Sequence, residues 1–191
     1  CESPIEIEDE EIPIPSLDEV CVNTYNEVDG SLITCDSDCL LFSDDCYHSY
    51  DIDLLSMIIN NNNLLSDTVI SELDIGSQTW ENGRLYNLNL SNLEINYLPE
   101  GVCNIDCSIN VSNNSLCDEF QYDCIDYLGY QNMSGCEGYT EYSEQWYYDN
   151  DINILIEIKN LNPSLSDEVV LGIGVQEWFN GRLTYLNLSN L

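Results

Sequence analysis

The chain of 191 residues is nearly devoid of positive charge: Arg84, Lys159 and Arg182 are its only Lys or Arg against 36 Asp and Glu, a formal net charge of −33. Nucleic acid and anionic membranes both need a basic footprint on their partner, so neither is expected to bind. Divalent cations, cationic partners or plain solubility in salty water all remain compatible with such acidity. Histidine occurs once, at His48, which leaves no His-bearing zinc pattern and points to a surface or cap residue. Alanine is absent and asparagine abundant, a bias that a low-GC genome produces by itself. No stretch approaches the ~20 apolar residues that span a bilayer, so no transmembrane segment is expected. Catalytic signatures are missing too, with no G-x-S-x-G, no H-E-x-x-H and no phosphate-binding glycine loop. Carboxylate pairs are frequent only because acids are, so they carry no catalytic message. The expectation is a protein that is not an enzyme.

What is abundant is cysteine, with ten residues. No C-x-x-C knuckle joins Cys35, Cys39 and Cys46, so disulfides explain them better than zinc. Cys21, Cys35, Cys39, Cys46, Cys103, Cys107, Cys117, Cys124 and Cys136 are the candidates, with the pairing open, and they place the chain outside the reducing cytosol, extracellular or at the cell surface. Cys1 with the acidic, Pro-punctuated run Glu2 to Pro15 resembles a mature bacterial lipoprotein, so Cys1 is a candidate lipid anchor and 1–16 a linker. A start set by a partial sequence fits equally well.

A duplication organises the rest. DIDLLSMIINNNNLLSDTVI at 51–70 returns at 151–170 as DINILIEIKNLNPSLSDEVV, and GSQTWENGRLYNLNLSNL at 76–93 returns at 174–191 as GVQEWFNGRLTYLNLSNL. Ten of twenty and thirteen of eighteen positions are identical, which chance does not produce. The expected division is a Cys-rich cap at 17–50, module 1 at 51–116, a Cys-rich linking cap at 117–150 and an incomplete module 2 at 151–191. Each module opens with a helix on which Ile52, Leu55, Ile58 and Ile59 share one face behind Asp51 as N-cap, with Asp151 the equivalent. A loop then leads to Trp80 or Trp178, an Asn-Gly turn pair and a strand.

From Leu85 the leucines read L-x-x-L-x-L-x-x-L-x-I, and twenty-one residues on, Ile109-x-Val111-x-x-Asn114-x-Leu116 repeats the pattern. That offset carries Leu88 to Ile109, Leu90 to Val111 and Ile95 to Leu116. These residues resemble the leucine-rich-repeat family, whose L-x-x-L-x-L-x-x-N-x-L motif is matched at Asn114, whereas the preceding turn has Leu93 at that place and Asn92 one earlier. NGRLxxLNLSNL with an upstream Trp is similar to the first repeat after the N-terminal cap in extracellular plant-type and bacterial members. The resemblance covers 76–117 and 174–191 and implies an α/β solenoid: short coils with packing helices and disulfide-bonded caps, in two tandem modules. It also implies an asparagine at 114 bonded between coils, and a partner on the concave strand face.

That face would present Asn87, Asn89, Ser91, Asn110, Ser112, Tyr185, Asn187 and Ser189 to a protein or glycan ligand, or form a structural Asn/Ser ladder. Glycosylation sequons stand at Asn89, Asn110, Asn113, Asn132 and Asn187. Arg84 and Arg182, at equivalent positions just before the strand, are expected to pair with a carboxylate or cap carbonyls. Asp149, Asp151 and Asn153 alternate as calcium ligands do, so calcium is a candidate cofactor, but Ile154 occupies the place of the loop glycine and a helix N-terminus reads equally well. Asp36, Asp38, Asp44 and Asp45 form a second such group. Two functions follow: an extracellular recognition or adhesion module, or a structural subunit assembling with itself head-to-tail into a filament through an open terminal repeat with the edge strand LTYLNLSNL.

Overall fold

The computed structural model describes residues 21, 24–25, 32–35, 38–42, 45–69 and 71–189. Cys1, the run to residue 16, Asp36 and Asp44 lie outside them. The strands are β1 (Thr24–Tyr25), β2 (Leu32–Thr34), β3 (Cys39–Phe42), β4 (Asp45–His48), β5 (Ser77–Glu81), β6 (Arg84–Asn89), β7 (Ser108–Asn110), β8 (Tyr139–Tyr142), β9 (Gln145–Tyr148), β10 (Val175–Phe179) and β11 (Arg182–Asn187). The helices are α1 (Ser49–Asn61), the one-turn α2 (Asn63–Ser66) and α3 (Asp149–Leu161).

These elements are not an α/β solenoid. Among the described residues the strands form five separate sheets, four of them two-stranded antiparallel pairs, and only β6 with β7 is paired in parallel, over three residues. The cause lies in the Asn-Gly pairs. Asn82 and Gly83 both have positive φ (50° and 74°), as do Asn180 and Gly181 (47° and 74°). Two consecutive left-handed residues make the turn that a two-residue hairpin requires. Each leucine strand therefore pairs first with the segment just before it, β6 with β5 and β11 with β10. It is the second arm of a hairpin before it is anything else. Parallel contacts beyond β7 shrink to single bridges, Asn110 to Tyr127 and Asn114 to Gln131.

The duplicated unit is larger than the identical residues suggest. Hairpin β3–β4 precedes α1 as β8–β9 precedes α3, at an offset of 100. Tyr47 stacks edge-on against Trp80 at 4.8 Å, and Tyr147 against Trp178 at 4.7 Å. The backbone N–H of His48 donates to the Gly83 carbonyl, and that of Tyr148 to Gly181. Each module is thus a hairpin, a helix and a second hairpin, joined by one aromatic pair and one backbone bond. Asp51 and Asp151 are not N-caps. His48 and Tyr148 hold that position, with Asp51 and Asp151 in the first turn. His48 is buried rather than on the surface, and its Nδ1 accepts from the Tyr50 N–H.

The main core lies between α1, β6, β7 and the loops that follow them. Leu55, Ile58, Leu88, Leu90, Ile95, Leu98 and Leu116 are inaccessible to solvent. Each contributes about 1.5–3 kcal/mol through burial. A second, small core gathers Met133, Cys136 and Tyr139 with Trp146 and Tyr148 partly covering it. Tyr139 stands where module 1 has Cys39: Gly83 is packed against Cys21, the partner of Cys39, and Gly181 against the Tyr139 ring. An aromatic ring replaces a disulfide at the same place.

Candidate functional site

The strand face expected to meet a partner is largely committed to the protein itself. Asn89, Asn110 and Asn187 each accept, through Oδ1, the backbone N–H two residues on, from Ser91, Ser112 and Ser189 at 2.9–3.0 Å. Asn132 does the same with Ser134. Asn-x-Ser closes such a turn on its own, because the short amide reaches its own backbone. Ser112 is buried, Ser91 half-buried and Ser189 exposed. Asn87 and Tyr185 are exposed. The sequon residue Asn113 is exposed as well, in a positive-φ turn.

Behind that face runs a buried amide ladder. Asn114 Oδ1 accepts from the N–H groups of Leu93 and Ile95, and its Nδ2 donates to the carbonyls of Leu90 and Val111 at 2.9 and 2.7 Å. Gln131, fully buried, takes the Leu116 N–H and donates to Val111 and Leu128. The Gln131 N–H then donates to Asn180 Oδ1 at 2.8 Å, so the ladder runs into module 2.

The cysteines pair as Cys21–Cys39, Cys35–Cys46, Cys103–Cys124 and Cys117–Cys136. Four disulfides place the chain in an oxidising environment of the extracellular kind. Cys107, a disulfide candidate in sequence, is a free thiol, because Cys103 and Cys117 close their bridges with Cys124 and Cys136. Burial, with Asp51, Asp126 and Asp106 nearby, pushes that thiol up to about 12. Among the described residues no helix is long and apolar enough to cross a membrane.

Electrostatics pins the two arginines. The Arg84 guanidinium meets Asp51 bidentately, Nε to Oδ2 at 2.9 Å and Nη2 to Oδ1 at 3.1 Å, and Asp51 also accepts the Leu85 N–H. Arg182 meets Asp151 through Nε and Asp118 through Nη1, with its guanidinium 4.2 Å above the Tyr148 ring. Asp118 in turn accepts from the Tyr139 hydroxyl at 2.8 Å, and burial together with that bond raises the Tyr139 phenol well above its ordinary value. Of the calcium candidates, Asp151 is engaged by Arg182 and the Leu183 N–H, Asp149 sits in the first turn of α3, and Asn153 is exposed. Among the described residues no three His, Cys, Asp or Glu side chains gather as a metal site.

A groove of about 1130 Å³ lies among the described residues beside the C-terminal end of α1. Tyr97, Phe120 and Tyr130 supply its aromatic surface, and Glu94 and Glu119 its carboxylates. Asn61, Asn96, Asn113 and Asn132 supply amides. Tyr97 and Phe120 stack edge-on at 5.3 Å, and Tyr130 is 64% exposed. The groove is held from below. Buried Asn62, at the end of α1, accepts from the N–H groups of Asn96 and Tyr97 and donates to the Tyr97 carbonyl. Asn114 and Cys117, which also line it, belong to the amide ladder and to a disulfide. The repeat motif had singled out Asn114, and the sequons Asn113 and Asn132, but nothing in the leucine pattern marks Glu94, Tyr97, Glu119, Phe120 or Tyr130.

Comparison with protein-family models, with curated proteins and with solved structures found no match. The resemblance to leucine-rich repeats rests on the quoted motif alone.

Proposed function

We propose that the chain is a non-enzymatic extracellular recognition or adhesion module, binding its partner at the groove beside α1 rather than on the strand face. The observation that carries this reading is the contrast between the two surfaces. On the strand face Asn89, Asn110 and Asn187 take up their own backbone N–H groups, whereas Tyr130 and the Asn113 amide stand exposed in the groove above the hydrogen bonds of buried Asn62. Few convergent polar groups beside aromatic surface is the usual make-up of a ligand site. The test presents the immobilised, oxidised chain with arrays of peptides and oligosaccharides. Saturable binding that disappears after reduction and alkylation supports the reading. Absence of any saturable ligand refutes it, as does a hydrolase screen in which turnover is abolished by one carboxylate change.

A second reading, self-association, is favoured by one observation. The helix of module 2 exposes what that of module 1 buries: Ile154 is 52% accessible against 3% for Leu54. Light scattering and negative-stain microscopy of non-reduced protein, with and without calcium, decide it. Long regular polymers favour a filament subunit, and a monodisperse monomer removes that reading.

A further inference from the structure

We infer that the groove beside α1 receives a basic segment of a partner polypeptide, seating a lysine or arginine side chain against the Tyr130 or Tyr97–Phe120 rings and between Glu94 and Glu119. This rests on the recognition reading and names its ligand class. Three observations carry it. First, the groove combines aromatic faces with two carboxylates, and none of the three cationic residues of the chain lines it. Arg84 and Arg182 are bound to Asp51, Asp151 and Asp118. A cation over an aromatic face is attracted by the ring quadrupole, and a carboxylate beside the same pocket adds charge complementarity.

Second, the net charge of −33 makes the approach of any anion unfavourable and that of a polycation favourable. At physiological salt that field is screened within about 8 Å, so the carboxylates of the groove itself decide where a basic segment stops. Third, the amides of Asn96 and Asn113 offer both donors and acceptors, and Asn61 and Asn132 add an acceptor and a donor beside their bonds to Met57 and Ser134, which suits the backbone of an extended segment lying along the groove. An uncharged oligosaccharide could use the rings and amides but would gain nothing from the carboxylates or the field.

The experiment measures fluorescence anisotropy of a labelled peptide of alternating lysine and glycine against the oxidised full chain in 0.15 M salt, with cellohexaose as a competing probe. The groove variant Tyr130→Ala/Glu119→Gln changes two exposed residues, which keeps the fold out of question. The matched control Tyr127→Ala/Glu144→Gln makes the same chemical changes at exposed positions outside the groove. Loss of affinity by about tenfold in the groove variant, with the control within about twofold of the parent, is the expected result. Equal losses in both variants mean attraction by net charge alone and overturn the groove assignment while leaving the recognition reading standing. Displacement by cellohexaose, or binding of it without binding of the peptide, overturns the basic ligand in favour of a glycan. No binding of either probe also overturns the inference, and the array experiment then decides separately whether the chain recognises anything.

Discussion

Because the module occurs twice, the same substitution can be made in two environments of one protein, and the carboxylate–arginine pair is the place to do it. Asp51 is fully buried and its partner Arg84 is 15% accessible, whereas Asp151 is 14% and Arg182 44% accessible. Asp51 receives three hydrogen bonds, two from the guanidinium and one from the Leu85 N–H, at 2.8–3.1 Å. Replacing Asp51 by Ala removes a fully buried carboxylate that accepts two bonds from a mostly buried cation and one from a buried backbone donor, a loss of about 3–4 kcal/mol. Replacing Asp151 by Ala leaves Arg182 in contact with Asp118 and half in water, so an exposed pair and one backbone bond are lost, about 1–2 kcal/mol. Equilibrium urea unfolding with the disulfides intact, followed by circular dichroism, reads the difference directly. With a slope of about 2 kcal/mol per molar urea, Asp51→Ala lowers the midpoint by about 1 M more than Asp151→Ala. Asp51→Asn, which keeps shape and an acceptor, gives an intermediate loss and serves if the alanine variant does not fold. Equal losses at the two positions would refute the reasoning that burial sets the value of the pair.

Three further outcomes are expected. Cys107, with its thiol pushed up to about 12, reacts with a disulfide reagent at pH 8 at least about tenfold more slowly in the folded chain than in urea, and comparable rates would contradict its burial. Stability falls as pH rises above the ordinary thiol and phenol values, because Cys107 and Tyr139 hold their protons longer folded than unfolded. A flat denaturation profile between pH 8 and 11 would contradict this. Asn114→Ala removes a buried amide that makes four backbone bonds and costs about 3 kcal/mol in the same urea assay, so a loss under 1 kcal/mol would mean the ladder does not hold the loops together.

The sequence made the register legible and the architecture not. The twenty-one-residue offset placing Leu88 opposite Ile109 is the parallel register of β6 and β7, and Asn114 bonds between the two turns as the motif implies. Both are set by side chains that repeat. The solenoid reading failed at Asn82-Gly83 and Asn180-Gly181, where a dipeptide already recognisable as a turn folds the leucine strand back onto its predecessor. Local turn geometry outweighed the long-range periodicity. The hairpins β3–β4 and β8–β9 were invisible as repeats because their strands share one identical pair, Tyr47 and Tyr147, and the residues between the strands one more, Ser43 and Ser143. The signal that could have found them is tertiary: each tyrosine stacks on the tryptophan of its own module.

The site was less legible than the fold for a related reason. Asn-x-Ser reads as a surface feature only if its amide is free, and here four of these amides satisfy their own serine N–H. The groove is made instead by loops whose placement depends on Asn62, Asn114 and Cys117, three residues drawn from a helix cap, a ladder and a disulfide. The joint between modules follows the same rule. Asn180 is 5% accessible because its amide meets Gln131 and Gly129, whereas its counterpart Asn82, with nearly the same φ, is exposed. Arg182 likewise divides itself between its own Asp151, the counterpart of the Asp51 that Arg84 meets, and Asp118 from the preceding segment. One turn conformation and one arginine, duplicated, therefore serve two purposes. What differs is the neighbour, and neighbours are what a sequence read as separate repeats does not contain.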